Sequence, residues 1–232
     1  MSQTSDIACS VAPVFGAPAA PPFAVLLGPD FAGKSTALAR LRAGNPARRI
    51  LSTDEDFLAA EHRPIAQLRR VAGEVIGALG TDFSPDFLVG LLQTAVVHLR
   101  DELLREEPVH EGPRRGPLLV DSYYYKILAK CTLAGAGDNP MLAWWRSFPQ
   151  PVRVVYLDVS PAAAWRRCDR GHGLNPLEHY GRRPDFERFA RYQADLSALM
   201  FEEIRHLPVT VLGERTDPAQ TAREIEEALA DG

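Results

Sequence analysis

The stretch FAVLLGPDFAGKST, residues 23–36, decides the reading of this chain. Phe23 to Leu27 is a continuous apolar run, too short for a helix and followed at once by a glycine-containing turn, which is how a buried parallel strand reads. The segment Gly28-Pro29-Asp30-Phe31-Ala32-Gly33-Lys34-Ser35 then satisfies GxxxxGK[ST]. Helix formers follow from Lys34 to Arg42, with Gly44 as a stop. Strand, loop and helix in that register make a phosphate cradle. The glycines let the backbone turn its N–H groups toward an anion, and the positive end of the helix adds to the attraction. Lys34 is expected to reach the β- and γ-phosphates of ATP, and the Ser35 hydroxyl to ligate Mg²⁺. A glycine-rich turn with an incidental lysine is the bland alternative, and it leaves the Lys34-Ser35 pair at the helix start without a reason.

The same alternation continues outward. Arg49 to Ser52 reads as a second strand ending in the acidic group Asp54, Glu55, Asp56, and Pro117 to Val120 as a third that delivers Asp121 at its C-terminal end. Between them, Leu88 to Arg105 carries apolar residues at helical spacing. Val152 to Val159 is the fourth strand; Ser160 and Pro161 then supply an N-cap and a first-turn proline, and the helix is expected to end at Gly171. A long amphipathic helix spans Phe186 to His206, a last strand Val209 to Leu212, and a closing helix follows to about Leu229. Strands that alternate with helices predict an α/β fold: three layers, a five-stranded parallel sheet with helices on both faces.

Composition narrows the partners. With 232 residues, 46% hydrophobic and 24% charged, the chain has globular proportions, read as residues 23–232 forming one domain behind a flexible Ala/Pro-rich leader at 1–22. A formal charge of −4 provides no broad basic field for nucleic acid or an anionic membrane. No apolar stretch approaches the roughly 20 residues needed to cross a bilayer, so a soluble protein with a small-molecule substrate is expected. Cys9, Cys131 and Cys168 are scattered and fit a reducing cytoplasm. His62, His98, His110, His172, His179 and His206 show no HxH or HExxH spacing, which argues against a tight zinc site.

Asp30 makes the loop GxDxxGKS, and in this the chain resembles the thymidylate kinases. LLQTAVVHLRDELL from Leu91 resembles that family's substrate-site helix, VDSYYYKILAK from Val120 its strand-end Asp-Arg-Tyr segment, and VYLDV from Val155 followed by Ser160-Pro161 its strand before the lid. The resemblance implies a P-loop kinase using ATP and Mg²⁺, with an acceptor over the C-terminal edge of the sheet. It also implies an Arg-rich lid at about 166–183 and a possible homodimer. Guanine-specific switches carry an NKxD-like sequence late in the chain and none is present, so a nucleotide-binding switch or other P-loop NTPase stays the remote alternative.

The departures from the family concern the acceptor. Val96 and Val97 stand where it carries an Asp-Arg pair, Ser122 stands where it has an arginine, and Thr53-Asp54-Glu55-Asp56 replaces an Arg-Glu-Pro. Losing arginines and gaining carboxylates disfavours a phosphomonoester and favours an uncharged hydroxyl on a nucleoside, sugar or antibiotic-like metabolite. A nucleoside monophosphate is the alternative acceptor. Asp54 or Asp56 would take the hydroxyl proton, although either can equally be a helix-dipole carboxylate. Asp121 is a candidate metal-binding or orienting carboxylate, with Ser35 the other metal ligand. Gly28, Asp30, Ala32, Gly33, Lys34, Ser35, Thr36 and Arg167 are the expected nucleotide contacts. Arg166 and Arg170 are expected to offset transition-state charge from the lid, against a solvated-surface alternative. Tyr123, Tyr124, Tyr125, Trp144 and Trp145 are read first as packing and second as a stacking platform for a flat acceptor.

Overall fold

The apolar run at Phe23–Leu27 is the central strand, β1, of the computed structural model, which describes residues 20–106 and 118–230. The leader up to residue 19, Cys9, His110 and Pro117 lie outside the described residues. Strand β1 pairs with Leu118–Asp121 (β3) on one side and Arg153–Asp158 (β4) on the other. Ile50–Leu51 (β2) flanks β3, and Val209–Gly213 (β5) flanks β4. All pairs are parallel, in the order β2-β3-β1-β4-β5. The expected five-stranded parallel sheet is therefore the observed one.

Side chains alternate across a strand, so β1 feeds two cores. Phe23, Val25 and Leu27 pack into a cluster with Val96 of Pro85–Arg105 (α3), Tyr125 of Tyr125–Cys131 (α4) and Leu196 of Phe186–Ile204 (α7). Ala24 and Leu26 meet Leu38 of Lys34–Gly44 (α1) and Ile225 of Pro218–Ala230 (α8) on the other face. Each of the larger aliphatic and phenylalanine side chains so buried contributes roughly 1.5–3 kcal/mol. In this way the sheet is covered on both faces.

Two further helices, Arg63–Gly77 (α2) and Pro140–Arg146 (α5), were not apparent in the sequence reading. Helix α2 packs along α3, with Val75 beside Leu88. The helix after β4, Pro161–Arg167 (α6), has Ser160 as its cap, the hydroxyl accepting from Ala163 N at 3.2 Å. It ends earlier than expected: Cys168 closes it and Asp169–Gly171 forms a 3₁₀ turn, with Arg170 in the left-handed region at φ 53°. No helix among the described residues is long and apolar enough to cross a membrane.

Candidate active site

The loop between β1 and α1 turns on two glycines. A Cβ on Gly28 would lie 2.8 Å from Leu157 O of β4, and Gly33 caps α1 at φ 91°. A side chain at Gly28 would displace backbone, and one at Gly33 would be strained by the left-handed φ. Arg167, at the end of α6, holds the loop from outside: its Nη1 donates to Phe31 O at 3.2 Å and Ala32 O at 3.0 Å, and its Nη2 to Arg215 O at 3.3 Å. The loop, Lys126, Arg69, Glu178 and Arg215 wall a cleft of about 650 Å³. Ser35 and Thr36 are exposed on its floor.

Lys34 Nζ donates to Gly28 O at 3.1 Å and Pro29 O at 3.2 Å, curled back over its own loop. Loss of hydration lowers its pKa to about 7, the charge of Lys126 pushes the same way, and Asp121 and Asp30 only partly oppose them. Lys126, beside it, is shifted the other way: burial lowers its pKa, but the ion pair with Asp30 outweighs that and raises it. The two ammonium groups are thus ranked by their partners.

Asp30 is the partner that does this. It is buried, and its Oδ1 lies 2.7 Å from Lys126 Nζ and 2.9 Å from Lys130 Nζ. Gln193 of α7 donates to its Oδ2 at 3.3 Å and accepts from its backbone N at 2.9 Å. Burial alone would raise the carboxyl's pKa; the two lysines instead hold it well below the usual carboxylate range. Both Asp30 oxygens are therefore engaged, and the carboxylate braces two lysines instead of facing the cleft with a free oxygen.

Asp121 leaves the end of β3 half-buried, accepting from Ser52 Oγ at 3.0 Å and from Ser122 Oγ at 2.9 Å. The chain turns sharply after it, with Ser122 at φ 57° and Tyr123 at φ 45°. Two left-handed non-glycine residues cost about 1–3 kcal/mol each and persist where packing over-determines them. Here the packing is the buried trio Tyr123, Tyr124 and Tyr125, whose rings lie against one another with centroids 4.3–6.0 Å apart. The tyrosines and Trp145 are core, so the packing reading holds for them; Trp144 is partly exposed and lies against Phe148.

Ser52 continues the network, accepting from Asp54 N at 3.1 Å. Arg69 of α2 donates to Thr53 O at 2.9 Å and lies 3.8 Å from Asp54 Oδ1. Asp54 is thereby joined to Asp121 through one serine. Asp56 is exposed, and its carbonyl accepts from Arg42. Val96 is in the core and Val97 packs against it, so neither position faces the cleft.

The arginines expected to act together are spread out. Arg167 grips the loop, Arg166 lies 3.7 Å from Glu214, and Arg170, Arg182 and Arg183 are exposed. What seats the segment after α6 is apolar and acidic: Leu177 is buried against Val75 and Leu88, and Glu178 Oε1 lies 3.8 Å from Lys130 Nζ. Glu178 O accepts from Gln193 Nε2 at 3.2 Å. Burial raises the Glu178 pKa, with Lys130 opposing.

The sequence reading missed Lys126, Lys130, Glu178 and Gln193. The lysines carried a usable signal, since they stand one helical turn apart directly after β3 and so share a face. Glu178 and Gln193 carried none, because their role depends on a fold-back from more than 140 residues away in sequence (|i−j| = 163 for Gln193 and Asp30).

No family model matches the chain, and no curated protein matches it by sequence. Solved structures do match. Deoxyadenosine kinase from M. mycoides with bound dCTP superposes at a TM-score of 0.56 and 13% identity, covering 90% of this chain and 100% of that one. The same enzyme with bound dATP gives 0.54 and 15%, covering 89% and 98%. Thymidylate kinase from Candida albicans gives 0.59 and 14%, covering 91% and 92%. The fold is that of the thymidylate kinase-like P-loop nucleoside and nucleotide kinases, as the resemblance implied.

Proposed function

We propose that the protein is a kinase that transfers the γ-phosphoryl group of ATP to a hydroxyl of a small, uncharged acceptor of the nucleoside, sugar or antibiotic-like class. The observation that carries this reading is a line of groups along the C-terminal edge of the sheet. The loop with Lys34 stands after β1, Asp121 at the end of β3, and Asp54 after β2, where Ser52 donates to the Asp121 carboxylate and accepts from the Asp54 backbone N–H. Open parallel sheets take their ligands along that edge. The likeness to both a deoxyadenosine kinase and a thymidylate kinase supports a nucleoside or nucleotide kinase and fits either acceptor class, so the choice between them rests on the charges of the cleft.

Lys34, Gly33, Ser35 and Thr36 bind the ATP phosphates, with Ala32 and Gly28 shaping the loop. Lys126, held by Asp30, adds a second fixed ammonium beside Lys34. Asp54 accepts the hydroxyl proton as the acceptor oxygen bonds to the γ-phosphorus and ADP departs. A hydroxyl at Ser35 and a carboxylate at Asp121, whose oxygens retain lone pairs beyond the two serine bonds, form the hard oxygen donor set that suits Mg²⁺. When bound, that ion would offset phosphate charge during transfer. Arg166 and Arg170 belong to the lid, about 166–183, and Arg167 fixes its hinge to the loop.

One observation favours the second reading, a nucleoside monophosphate acceptor: Arg69 lines the cleft and a guanidinium suits a phosphate. It is already engaged by Asp54 and Thr53 O, and a dianion placed there would face the Asp54 carboxylate. Incubation with ATP, Mg²⁺ and a panel of nucleosides, amino-sugars and monophosphates, read by mass spectrometry, tests the choice. Phosphate gained by an unphosphorylated acceptor is the expected result, and turnover of monophosphates alone would overturn it.

Two further results are expected. Phosphate beside Lys34 should raise its pKa from about 7 back toward its ordinary 10.5, so nucleotide binding takes up a proton between those values. Affinity then weakens as pH rises through that window, by at most about tenfold per pH unit. Calorimetry at about pH 8.5 in buffers of different ionisation enthalpy measures the uptake, and a buffer-independent heat would contradict it. In the lid, Leu177 seats the segment in the absence of ligand, and ATP is expected to slow hydrogen exchange over 172–183 further. Equal exchange with and without a non-hydrolysable ATP analogue counts against closure.

A further inference from the structure

Away from the cleft, three side chains outside the proposed chemistry converge on the far side of the β2 loop. His98 and Glu102 stand one turn apart on α3 and so project from the same face. His62 ends the 3₁₀ turn Ala60–His62 that leads into α2. One ligand atom from each lies within 4.8 Å of the other two. His62 Nε2 is 3.6 Å from Glu102 Oε1, and the imidazole centroids are 4.6 Å apart, edge to face. We propose that His62, His98 and Glu102 form a binding site for a divalent transition-metal ion of the zinc class, separate from the nucleotide-bound Mg²⁺.

The distances suit the ion. Ligands held about 2.1 Å from a tetrahedral centre lie about 3.4 Å from one another, so the His62–Glu102 pair needs almost no movement and His98 only a small one. The donor set selects its class: two imidazole nitrogens and one carboxylate favour zinc-like ions over Mg²⁺ or Ca²⁺, which take oxygen. The three residues are half-buried and border a cavity of about 220 Å³ shared with Ser52, Phe57 and Leu58, which leaves room for a water as fourth ligand. The competing group is Arg105, which bonds Glu102 but is largely exposed and free to swing out.

The site would act by position. It ties the entry of α2 to α3, and the segment thus closed off, from Ser52 to His62, carries Asp54. A bound ion therefore stiffens the loop that presents the proposed acceptor carboxylate without touching the nucleotide loop. The binding claim itself does not depend on the kinase reading.

Untagged protein, stripped with chelator and dialysed against Zn²⁺ without nucleotide, should retain one equivalent by elemental analysis. Co²⁺ in its place should give the visible absorption of a tetrahedral site. His98→Ala should lower the affinity at least about tenfold, as losses of metal-supporting residues commonly do. Glu102→Gln, a change at a half-buried helix position, should do the same if His98→Ala does not fold. Zn²⁺ should also slow hydrogen exchange over 53–62 in the wild type and not in either variant. Absence of an equivalent in the wild type, equal retention by the folded variants, or an octahedral Co²⁺ spectrum would each overturn the assignment.

Discussion

Lys34→Met is expected to lower phosphoryl transfer by about 10²–10³ or more while leaving the protein folded, and more stable at low pH than the wild type. The catalytic half follows from charge: thioether in place of ammonium leaves the β- and γ-phosphates without the donor placed at the mouth of the loop. Lys126 stands close, but Asp30 holds it at 2.7 Å, and it cannot move over without abandoning that pair. The stability half follows from proton linkage. A folded-state pKa of about 7 against an ordinary 10.5 means that the native protein binds this proton more weakly than the unfolded chain does. Wild-type stability from this group therefore rises with pH across that window, and charged Lys34 opposes folding below it. Methionine carries no such penalty and nearly conserves volume, so its advantage should be greatest below about pH 7 and fade toward 10.5. Thermal unfolding across pH, beside a turnover assay, checks both halves. Unchanged turnover in a variant with wild-type circular dichroism would remove Lys34 from the mechanism.

Most of the sheet could be read from the chain because parallel strands buried on both faces are local signals. FAVLL is apolar throughout and ends at the glycine turn, and VRVVYLDV carries the apolar run Val154 to Leu157 between a single arginine and a single aspartate. Helix α2 carries a plain amphipathic pattern that the sequence reading did not use: Ala66, Ala72 and Val75 face inward, with arginines and a glutamate among the residues between them. The early stop of α6 has a local cause that composition does not announce. Asp169 and Arg170 both enter the left-handed region at φ 49° and 53°, and Gly171 follows at φ 91°, so near the Trp165 ring that an added Cβ would come within 2.5 Å.

The site was legible where function is written in contiguous residues and illegible where it is made by contact. GPDFAGKS marked the proposed phosphate loop, but nothing in it revealed that Asp30 is spent on Lys126, Lys130 and Gln193. The same limit explains the histidines. Spacing rules look for metal ligands close in sequence, whereas His62 reaches His98 and Glu102 through the packing of a 3₁₀ turn against α3. Reading HLRDE for its one-turn His98–Glu102 pair would have found two of its three members.

The two carboxylates after β2, equal candidates in the sequence, should separate sharply in assay. Asp54→Asn is expected to reduce turnover of the hydroxyl acceptor by about 10² or more with ATP affinity nearly unchanged, and Asp56→Asn to leave both close to wild type. Asp54 is half-buried, its backbone N–H is joined through Ser52 to Asp121, and Arg69 at 3.8 Å orients its carboxylate. Asp56 is exposed, and what it contributes to the structure is a backbone carbonyl for Arg42, which asparagine retains. Asparagine at 54 keeps the size and can still accept a hydrogen bond, but it cannot take a proton from the attacking hydroxyl. Its effect should therefore fall on kcat more than on KM, and should shrink for an acceptor whose hydroxyl is more acidic, because less help is then needed to remove the proton. Full activity of Asp54→Asn with thymidine monophosphate efficiently turned over would assign the cleft to a phosphate acceptor, with Arg69 as its anchor and the Asp54 carboxylate dispensable.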